Sequence, residues 1–292
     1  MINFQRVFRN IFNSINWIDL LLLTLNSGIG LAITNYLGYE IDWVISVNYI
    51  LWTALFYFGT EMIWFNSNLR YQQKDKTFRR LMISVSQLLT ILFLSLSVIP
   101  LIQILIATFK DPLVVYLISL TSFWLLLKVY FERSIGVFGL SETISAFIIC
   151  FINPLVILNI NGIQIHEILL PVSFFSFLQI IANKIFRDIS TLENEFKKAE
   201  FVSSYIGPYS KFRITSGLII FGYLACISLL FLQDRMPLIF PLWFSLPFAL
   251  LIVIKLIRTH GDKLIEAIAL KPLVNLFALF VETAWIIGLW VR

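Results

Sequence analysis

Long apolar runs, each followed by a short polar segment, dominate the sequence from residue 17 to its end. A helix needs roughly 20 apolar residues to cross a membrane, and these runs are too long and too uniformly apolar for membrane β-strands. The pattern predicts an all-α integral membrane protein with nine transmembrane helices in one bundle, residues 1–292 forming a single membrane domain. The predicted spans are 17–37, 43–65, 81–107, 112–131, 135–158, 165–186, 214–233, 236–257 and 273–291.

Two of these runs contain residues that disturb a membrane helix. Pro100 lies within the third run, so that helix is expected to kink or to end early. Lys128 shortens the apolar part of the fourth run. Residues 1–16, ahead of the first run, are basic and amphipathic and have no small-residue cleavage site. They are predicted to lie along the membrane interface.

The basic residues are distributed unevenly between the two sides that nine spans create. With the N-terminus in the cytoplasm, all but three of the 22 Lys and Arg residues fall on the cytoplasmic side, as the positive-inside rule requires. The exceptions are Lys110, Arg235 and Arg292. This orientation puts the C-terminus on the opposite side. It also predicts three large cytoplasmic connections, at 66–80, 187–213 and 258–272.

Composition agrees with this assignment. The chain is 59% hydrophobic and 13% charged, whereas a soluble domain has roughly 25% charged residues. The net charge of +5 reflects the topology, so no nucleic-acid partner is predicted. Cys150 and Cys226 both lie inside apolar runs and predict no disulfide or metal framework. We expect a multi-pass protein of a cell inner membrane or an energy-transducing membrane.

Five carboxylates lie at or near membrane depth, where ionisable groups are costly and suggest function. Asp19 stands two residues into its span and is expected to reach the interface. Glu142 and Glu282, the latter near the middle of the last span, are expected to be satisfied by Ser, Thr or Trp on neighbouring helices. Glu61 and Asp188 differ because each opens a longer polar pattern.

The pattern that follows the sixth span is RDISTLENEFKKAEFVSSYIG, at 187–207. Its acids are Asp188, Glu193 and Glu195, and Asp188 and Glu195, seven residues apart, share a helical face. Such a face can bind Mg²⁺, which uses one or two carboxylates, several waters and substrate phosphates. A solvated, charged interface segment would have the same composition, and the residues alone leave both interpretations open.

The topology and this segment resemble the UbiA family of intramembrane prenyltransferases. That family has large cytoplasmic loops after spans two and six, and an Asp-x-x-Asp-x-x-x-Asp motif after span six. RDISTLENE places Asp188, Thr191 and Glu195 at the three positions of that motif. The following KKAEFVSSYIG is similar to the family's basic, Gly-terminated continuation.

The segment after span two resembles the family's first motif, Asn-Asp-x-x-Asp-x-x-x-Asp. TEMIWFNSN places Thr60, Glu61, Trp64 and Asn68 at its four positions. The pair Arg79 and Arg80 is similar to the family's basic pair, and VYFER at 129–133 resembles its Tyr-containing loop. Across the two motifs, three of the six acidic positions keep a carboxylate.

The resemblance implies transfer of a prenyl group from a prenyl diphosphate, bound between the two motifs, to a lipophilic acceptor. It implies Mg²⁺ as the cofactor, with Glu61, Asp188 and Glu195 as its ligands, and Glu61 and Asp188 as catalytic residues. The residues implied in substrate binding are Asn68, Arg70, Arg79, Arg80, Tyr130, Thr191 and Lys198.

Two alternatives to an active prenyltransferase remain at this point. A catalytically degenerate protein of the same fold would bind an isoprenoid, quinone or pigment, or serve as a structural subunit of a larger membrane complex. A secondary transporter is the third class, although the sequence has no matching pair of Gly/Pro-interrupted helices.

Overall fold

The structure is a computed structural model that describes residues 11, 17–72, 76–134, 140–195, 208–258 and 264–291. Within these ranges the secondary structure is helical, with no strand. The main helices are α1 (Trp17–Tyr36), α2 (Trp43–Gln72), α3 (Lys76–Ala107), α4 (Pro112–Ser134), α5 (Leu140–Phe147), α6 (Asn153–Ile160), α7 (Leu169–Glu195), α8 (Pro208–Leu232), α9 (Phe240–Arg258) and α10 (Leu264–Trp290). A π-helix, Ile148–Ile152, joins α5 to α6, and a 3₁₀ turn, Met236–Ile239, precedes α9.

Eight spans in this part of the chain are long and apolar enough to cross a membrane. Many of their large apolar side chains are exposed, as on α3, where Leu88, Ile91 and Ile106 face outward. Helix surfaces with so many exposed apolar side chains are stable in contact with the hydrocarbon of a membrane. The protein is therefore a multi-pass integral membrane protein. The remaining predicted span, α4, is apolar only from Pro112 to Lys128.

Several helices continue past the apolar runs into segments predicted as connections. Helix α2 continues to Gln72, and α3 already begins at Lys76. Helix α7 continues to Glu195, and α10 begins at Leu264. Hydropathy marks where a helix leaves the membrane, whereas the backbone hydrogen bonds continue into polar sequence. Pro100 does not end its helix early, because α3 runs on to Ala107.

The π-helix has a local cause in the sequence. Pro154 has no N–H, so it cannot donate to the carbonyl of Cys150 as an α-helix would require. The backbone N–H of Asn153 instead donates to the carbonyl of Ile148, five residues earlier. The wider turn therefore passes the proline without breaking the helix, and α6 follows with Pro154 in its first turn.

The chain divides into two compact units. The first comprises residues 1–24 and 42–135, and in it α2 packs closely against α3. A Cβ placed on Gly59 would lie 2.5 Å from Leu94 Cδ2, so glycine allows the two helices to approach. The Ser86 hydroxyl donates to Asn66 Oδ1 across the same pair. These two contacts fix the antiparallel register of α2 and α3.

The second unit comprises residues 25–41 and 136–292, and holds the larger core. Phe175 lies near its centre, with ring centroids 4.9 Å from Tyr223 and 6.2 Å from Trp285 in edge-on arrangements. A Cβ on Gly30 would come within 2.8 Å of the carbonyl oxygen of Pro154. The close packing of α1 on α6 in this unit therefore requires glycine at position 30.

Candidate functional site

Glu61 forms a buried ion pair in the first unit. Its Oε1 lies 3.2 Å from the Nζ of Lys128, which donates a hydrogen bond to it from α4. The side chains are only 10% and 12% exposed. A buried charge without a partner is very unfavourable, so each residue accounts for the presence of the other at this depth.

The helical register of α2 places an aromatic ring beside this pair. Tyr57 precedes Glu61 by one turn, and Lys128 Nζ lies 5.4 Å from the centroid of its ring, within cation–π range. Thr60, at the position where the UbiA motif has asparagine, is buried and donates to the Tyr57 carbonyl at 2.8 Å. Its hydroxyl thus bonds to its own helix.

Arg79 and Arg80 lie at a different height from Glu61 along the axes of the paired helices α2 and α3. The register set by Asn66 and Ser86 places them level with the end of α2, near Gln72. This is about 17 Å from Glu61 along the axis, at 1.5 Å per residue. Arg79 is half-buried and Arg80 is exposed. The structure therefore brings Glu61 together with Lys128 rather than with the basic pair.

The second motif lies on continuous α-helix, since α7 extends to Glu195. Asp188, Thr191 and Glu195 therefore occupy register positions on one face of α7, with the uncharged threonine between the two acids. Lys184, four residues before Asp188, shares this face and is buried. The side chains of Asp188, Thr191 and Glu195 lie outside the described part of the structure.

The other predicted site residues also lie outside the described side chains. For Asn68, Arg70 and Tyr130 the structure gives helical backbone only, and the same holds for Trp64. Lys198 lies wholly outside the described residues. Their roles in substrate binding stay predictions.

Glu282 is a fully buried carboxylate of the second unit. It lies on α10, and its Oε2 accepts a hydrogen bond of 3.0 Å from the Ser176 hydroxyl of α7. The Asn26 side chain bonds to the same carboxyl group from α1. The expectation of polar partners on neighbouring helices is thus met. Asp19 is buried within the protein, and its place at the interface stays a prediction.

Comparison with known proteins gives the fold but no close relative. The sequence matches no protein-family profile, and no curated protein is similar to it by sequence. A solved structure of digeranylgeranylglyceryl phosphate synthase, a membrane protein, superposes with a TM-score of 0.64. The match covers 98% of this chain and 100% of that one, at 14% identity. The chain has a UbiA-like fold.

The donors around Glu61 do not suit Mg²⁺, which the UbiA-like fold implies. Mg²⁺ needs nearly octahedral oxygen ligands at 2.0–2.1 Å, and the Glu61 carboxylate already binds the Lys128 ammonium. Among the described side chains, no group of three His, Cys, Asp or Glu could hold a metal ion. The second motif keeps Asp188 and Glu195, whose oxygens are of the type that Mg²⁺ prefers.

Sequence reasoning assigned Lys128 only to the topology and missed it as the partner of Glu61. The available signal was a lysine ending an apolar run, at a depth where a charge needs an opposite charge. Lys184 was likewise assigned only to the topology. Its spacing of four residues from Asp188 was visible in the sequence.

Proposed function

We propose that the protein is a UbiA-like prenyltransferase, which moves a prenyl group from a prenyl diphosphate to a lipophilic acceptor in the membrane. The observation that carries this proposal is the superposition of nearly the whole chain on a membrane digeranylgeranylglyceryl phosphate synthase. Fold alone does not determine function. The two motifs after spans two and six add support, because Glu61, Asp188 and Glu195 keep a carboxylate at positions where the family has aspartate.

The proposed reaction begins with cleavage of the bond between the allylic carbon and the diphosphate oxygen. Diphosphate leaves with the electron pair, the acceptor's nucleophilic atom bonds to the allylic carbocation, and the acceptor loses a proton. Positive side chains stabilise the charge that develops on the leaving group. The residues proposed for this task are Arg70, Arg79, Arg80 and Lys198, with Asn68, Tyr130 and Thr191 as neutral donors.

Asp188 and Glu195 are the residues that would hold Mg²⁺ in this proposal. Bound there, the ion would neutralise the diphosphate as it leaves. Asp188 is the acidic residue that we expect to matter most for activity, because it occupies the first position of the second motif. The prenyl tail would lie among apolar helices, and the partners would be isoprenoid and membrane lipids.

Release of diphosphate by the purified protein in lipid nanodiscs tests the proposal. Geranyl, farnesyl and geranylgeranyl diphosphates would each be supplied with quinone-precursor, glycerol-phosphate and aromatic acceptors. We expect turnover that Asp188→Ala abolishes. Glu193→Ala is the matched control, because residue 193 lies off the helical face shared by residues 188 and 195.

Binding without turnover of any substrate pair would support the catalytically degenerate alternative. Absence of both binding and turnover would overturn the proposal.

We further propose nine spans with the N-terminus in the cytoplasm. The distribution of basic residues supports this topology. The Glu61–Lys128 pair supports α4 as the additional span, because it neutralises the charge that shortens the apolar stretch. At 23 residues, α4 is about 35 Å long, enough to cross the hydrocarbon.

Cysteine labelling in intact cells would test this orientation, since Cys150 and Cys226 are buried. Cysteines at Tyr39 and Phe109 should react with an impermeant reagent from outside. One at Thr77 should react only after the membrane is opened. The reverse result would overturn the orientation.

A further inference from the structure

Helices α7 and α10 run antiparallel in the second unit, and two contacts fix their register. The Ser176 hydroxyl on α7 donates to Glu282 on α10. Further along, the Asn183 side chain donates to the carbonyl oxygen of Val274 at 3.4 Å. Asn183 lies seven residues after Ser176, and Val274 lies eight residues before Glu282. The two helices therefore keep the same register over two turns in the direction of the second motif.

This register brings Arg187 and Lys271 to one height. Arg187 follows Ser176 by eleven residues, and Lys271 precedes Glu282 by eleven residues. Eleven residues are three helical turns to within about 20°, so each basic residue lies on the helical line that carries the hydrogen-bonded one. Because those bonded residues meet across the interface, Arg187 and Lys271 occupy facing positions about one turn beyond Asn183.

Both residues lie where their helices leave the apolar part of the span. The apolar span of α7 reaches Phe186, one residue before Arg187, and that of α10 begins at Pro272, one residue after Lys271. The polar headgroup region of a membrane begins at this depth. Two positive charges therefore stand at the height at which a lipid carries its phosphate.

Neither residue has a carboxylate at the spacings of an intrahelical ion pair, three or four residues away. The positions at these spacings hold uncharged residues or lysine: Asn183, Lys184, Ser190 and Thr191 on α7, and Ala267, Ile268, Val274 and Asn275 on α10. The adjacent acid, Asp188, lies about 100° away around α7, on the face of the second motif. Packed helices have axes about 8–10 Å apart, so two like charges at one height repel each other. An anion between them removes this repulsion.

We propose that Arg187 and Lys271 form a binding site for a phosphate group at the interface of α7 and α10. The Arg guanidinium has a planar fork of N–H donors that matches two phosphate oxygens, and the Lys ammonium adds a compact charge. The ligand class is a phosphate ester or diphosphate, which an anionic lipid headgroup and a prenyl diphosphate both present. The site follows from helix packing in the second unit, and only a diphosphate ligand rests on the proposed function.

Two exposed basic residues of α9 offer charge-matched controls. The rings of Phe248 and Phe280 pack with centroids 5.1 Å apart and set the height of α9 against α10. Arg258 lies ten residues after Phe248, and Lys271 lies nine residues before Phe280, so the two stand at similar heights. Arg258 and Lys255 are exposed, as expected of basic residues that reach the headgroups singly.

Binding of inorganic pyrophosphate in excess EDTA, measured by calorimetry on the full-length protein in phosphatidylcholine nanodiscs, tests the site. EDTA removes divalent metal ions, so binding through Mg²⁺ at the second motif does not contribute. Arg187→Gln and Lys271→Gln should each weaken binding about tenfold or more, as loss of one charged hydrogen bond implies. Arg187→Lys keeps the charge and should keep most of the binding. Arg258→Gln and Lys255→Gln should leave binding unchanged.

Native mass spectrometry with phosphatidylglycerol tests a lipid headgroup as the ligand. The wild type should retain the lipid, as should the two control variants of α9, whereas Arg187→Gln and Lys271→Gln should lose it. Binding of pyrophosphate alone assigns the site to a diphosphate, and retention of phosphatidylglycerol alone assigns it to a lipid. Binding of neither ligand would overturn the proposal. So would equal weakening by all four Gln substitutions, or no weakening at positions 187 and 271.

Disulfide formation tests the facing arrangement without any ligand. A disulfide needs Cα atoms about 4.4–6.8 Å apart, a separation that facing positions of closely packed helices reach. Arg187→Cys/Lys271→Cys should cross-link on oxidation, as seen by mass spectrometry of the linked peptides. Arg187→Cys/Leu276→Cys is the control, because Leu276 is 62% exposed and lies on another face of α10. No cross-link in the first pair, or equal cross-linking in both, would contradict the placement on which the site depends.

The phosphate site and the proposed function can fail separately. Weaker binding of pyrophosphate or lipid by Lys271→Gln, in a protein that turns over no prenyl diphosphate, would keep the phosphate site and remove the transferase. Turnover by the wild type, together with equal binding by the wild type, Arg187→Gln and Lys271→Gln, would keep the transferase and remove the phosphate site.

Discussion

Ser176 on α7 donates a hydrogen bond of 3.0 Å to Glu282 on α10, at a depth where neither residue is exposed. This bond links two helices that are far apart in the sequence. Because no water competes for the carboxyl group at this depth, its stability depends on the protein donors around it. The pair is therefore a sensitive point in the packing of the second unit.

Ser176→Ala should lower the free energy of unfolding by about 1–3 kcal/mol, since it leaves a buried carboxyl oxygen short of a donor. Thermal unfolding in detergent would measure the change. Ser228→Ala is the matched control, because this exposed hydroxyl bonds only to its own helix at the Leu224 carbonyl. Its effect should stay within about 0.5 kcal/mol. Equal effects of the two substitutions would contradict the role given to Ser176.

The Glu61–Lys128 pair should show strong coupling in a double-mutant cycle. Lys128→Met alone leaves a buried carboxylate unpaired and should cost about 3–5 kcal/mol. Adding Glu61→Gln removes the unpaired charge and should restore part of that loss. Chemical or thermal unfolding of the four proteins would give the coupling energy. Additive effects would mean that the two charges are solvated independently.

Two glycines should respond to alanine in opposite directions. Gly30→Ala places a Cβ 2.8 Å from the Pro154 carbonyl oxygen and from Ile157 Cβ, and such overpacking should cost about 1–3 kcal/mol. Gly217 lies within α8 with nothing within 4 Å of an added Cβ. Gly217→Ala should therefore stabilise the protein by about 0.5–1 kcal/mol through the backbone. Stabilisation by both substitutions would show that α1 and α6 can move apart.

Tyr223→Phe tests a second buried link, between α8 and α9. The Tyr223 hydroxyl donates to Ser245 Oγ at 2.6 Å, and its loss should cost about 0.5–1.5 kcal/mol. Thermal unfolding of Tyr223→Phe and Ser245→Ala, singly and together, would measure the bond. Since both variants remove the same interaction, the double variant should be little worse than either alone.

The membrane spans could be predicted from the sequence because their signal is local. A run of about 20 apolar residues forms a spanning helix in lipid whatever its neighbours, because a helix satisfies the backbone hydrogen bonds within the run itself. The ends of the helices could not be predicted in this way. Helix α2 continues to Gln72 through asparagines and an arginine, none of which stops a helix.

The candidate site was predictable only in part, because its geometry depends on contacts between helices. The spacing from Thr60 to Asn68 placed Glu61 in a motif, and the whole-chain superposition agrees with the fold that this motif implied. Nothing local to Glu61 indicated Lys128, which is 67 residues away in the sequence. A partner of this kind is found only once the helices are packed.

The π-helix between α5 and α6 has a consequence for how this span tolerates change in length. A π turn holds one residue more than an α turn, so Ile148–Ile152 behaves as a one-residue insertion absorbed inside a helix. Deleting one residue there would remove the extra residue and leave both flanking faces oriented as they are, although Pro154 would still leave one carbonyl without a backbone donor. The same deletion in α7 would rotate the rest of that helix by about 100°, turning buried residues such as Phe175 and Ser176 relative to Asp188.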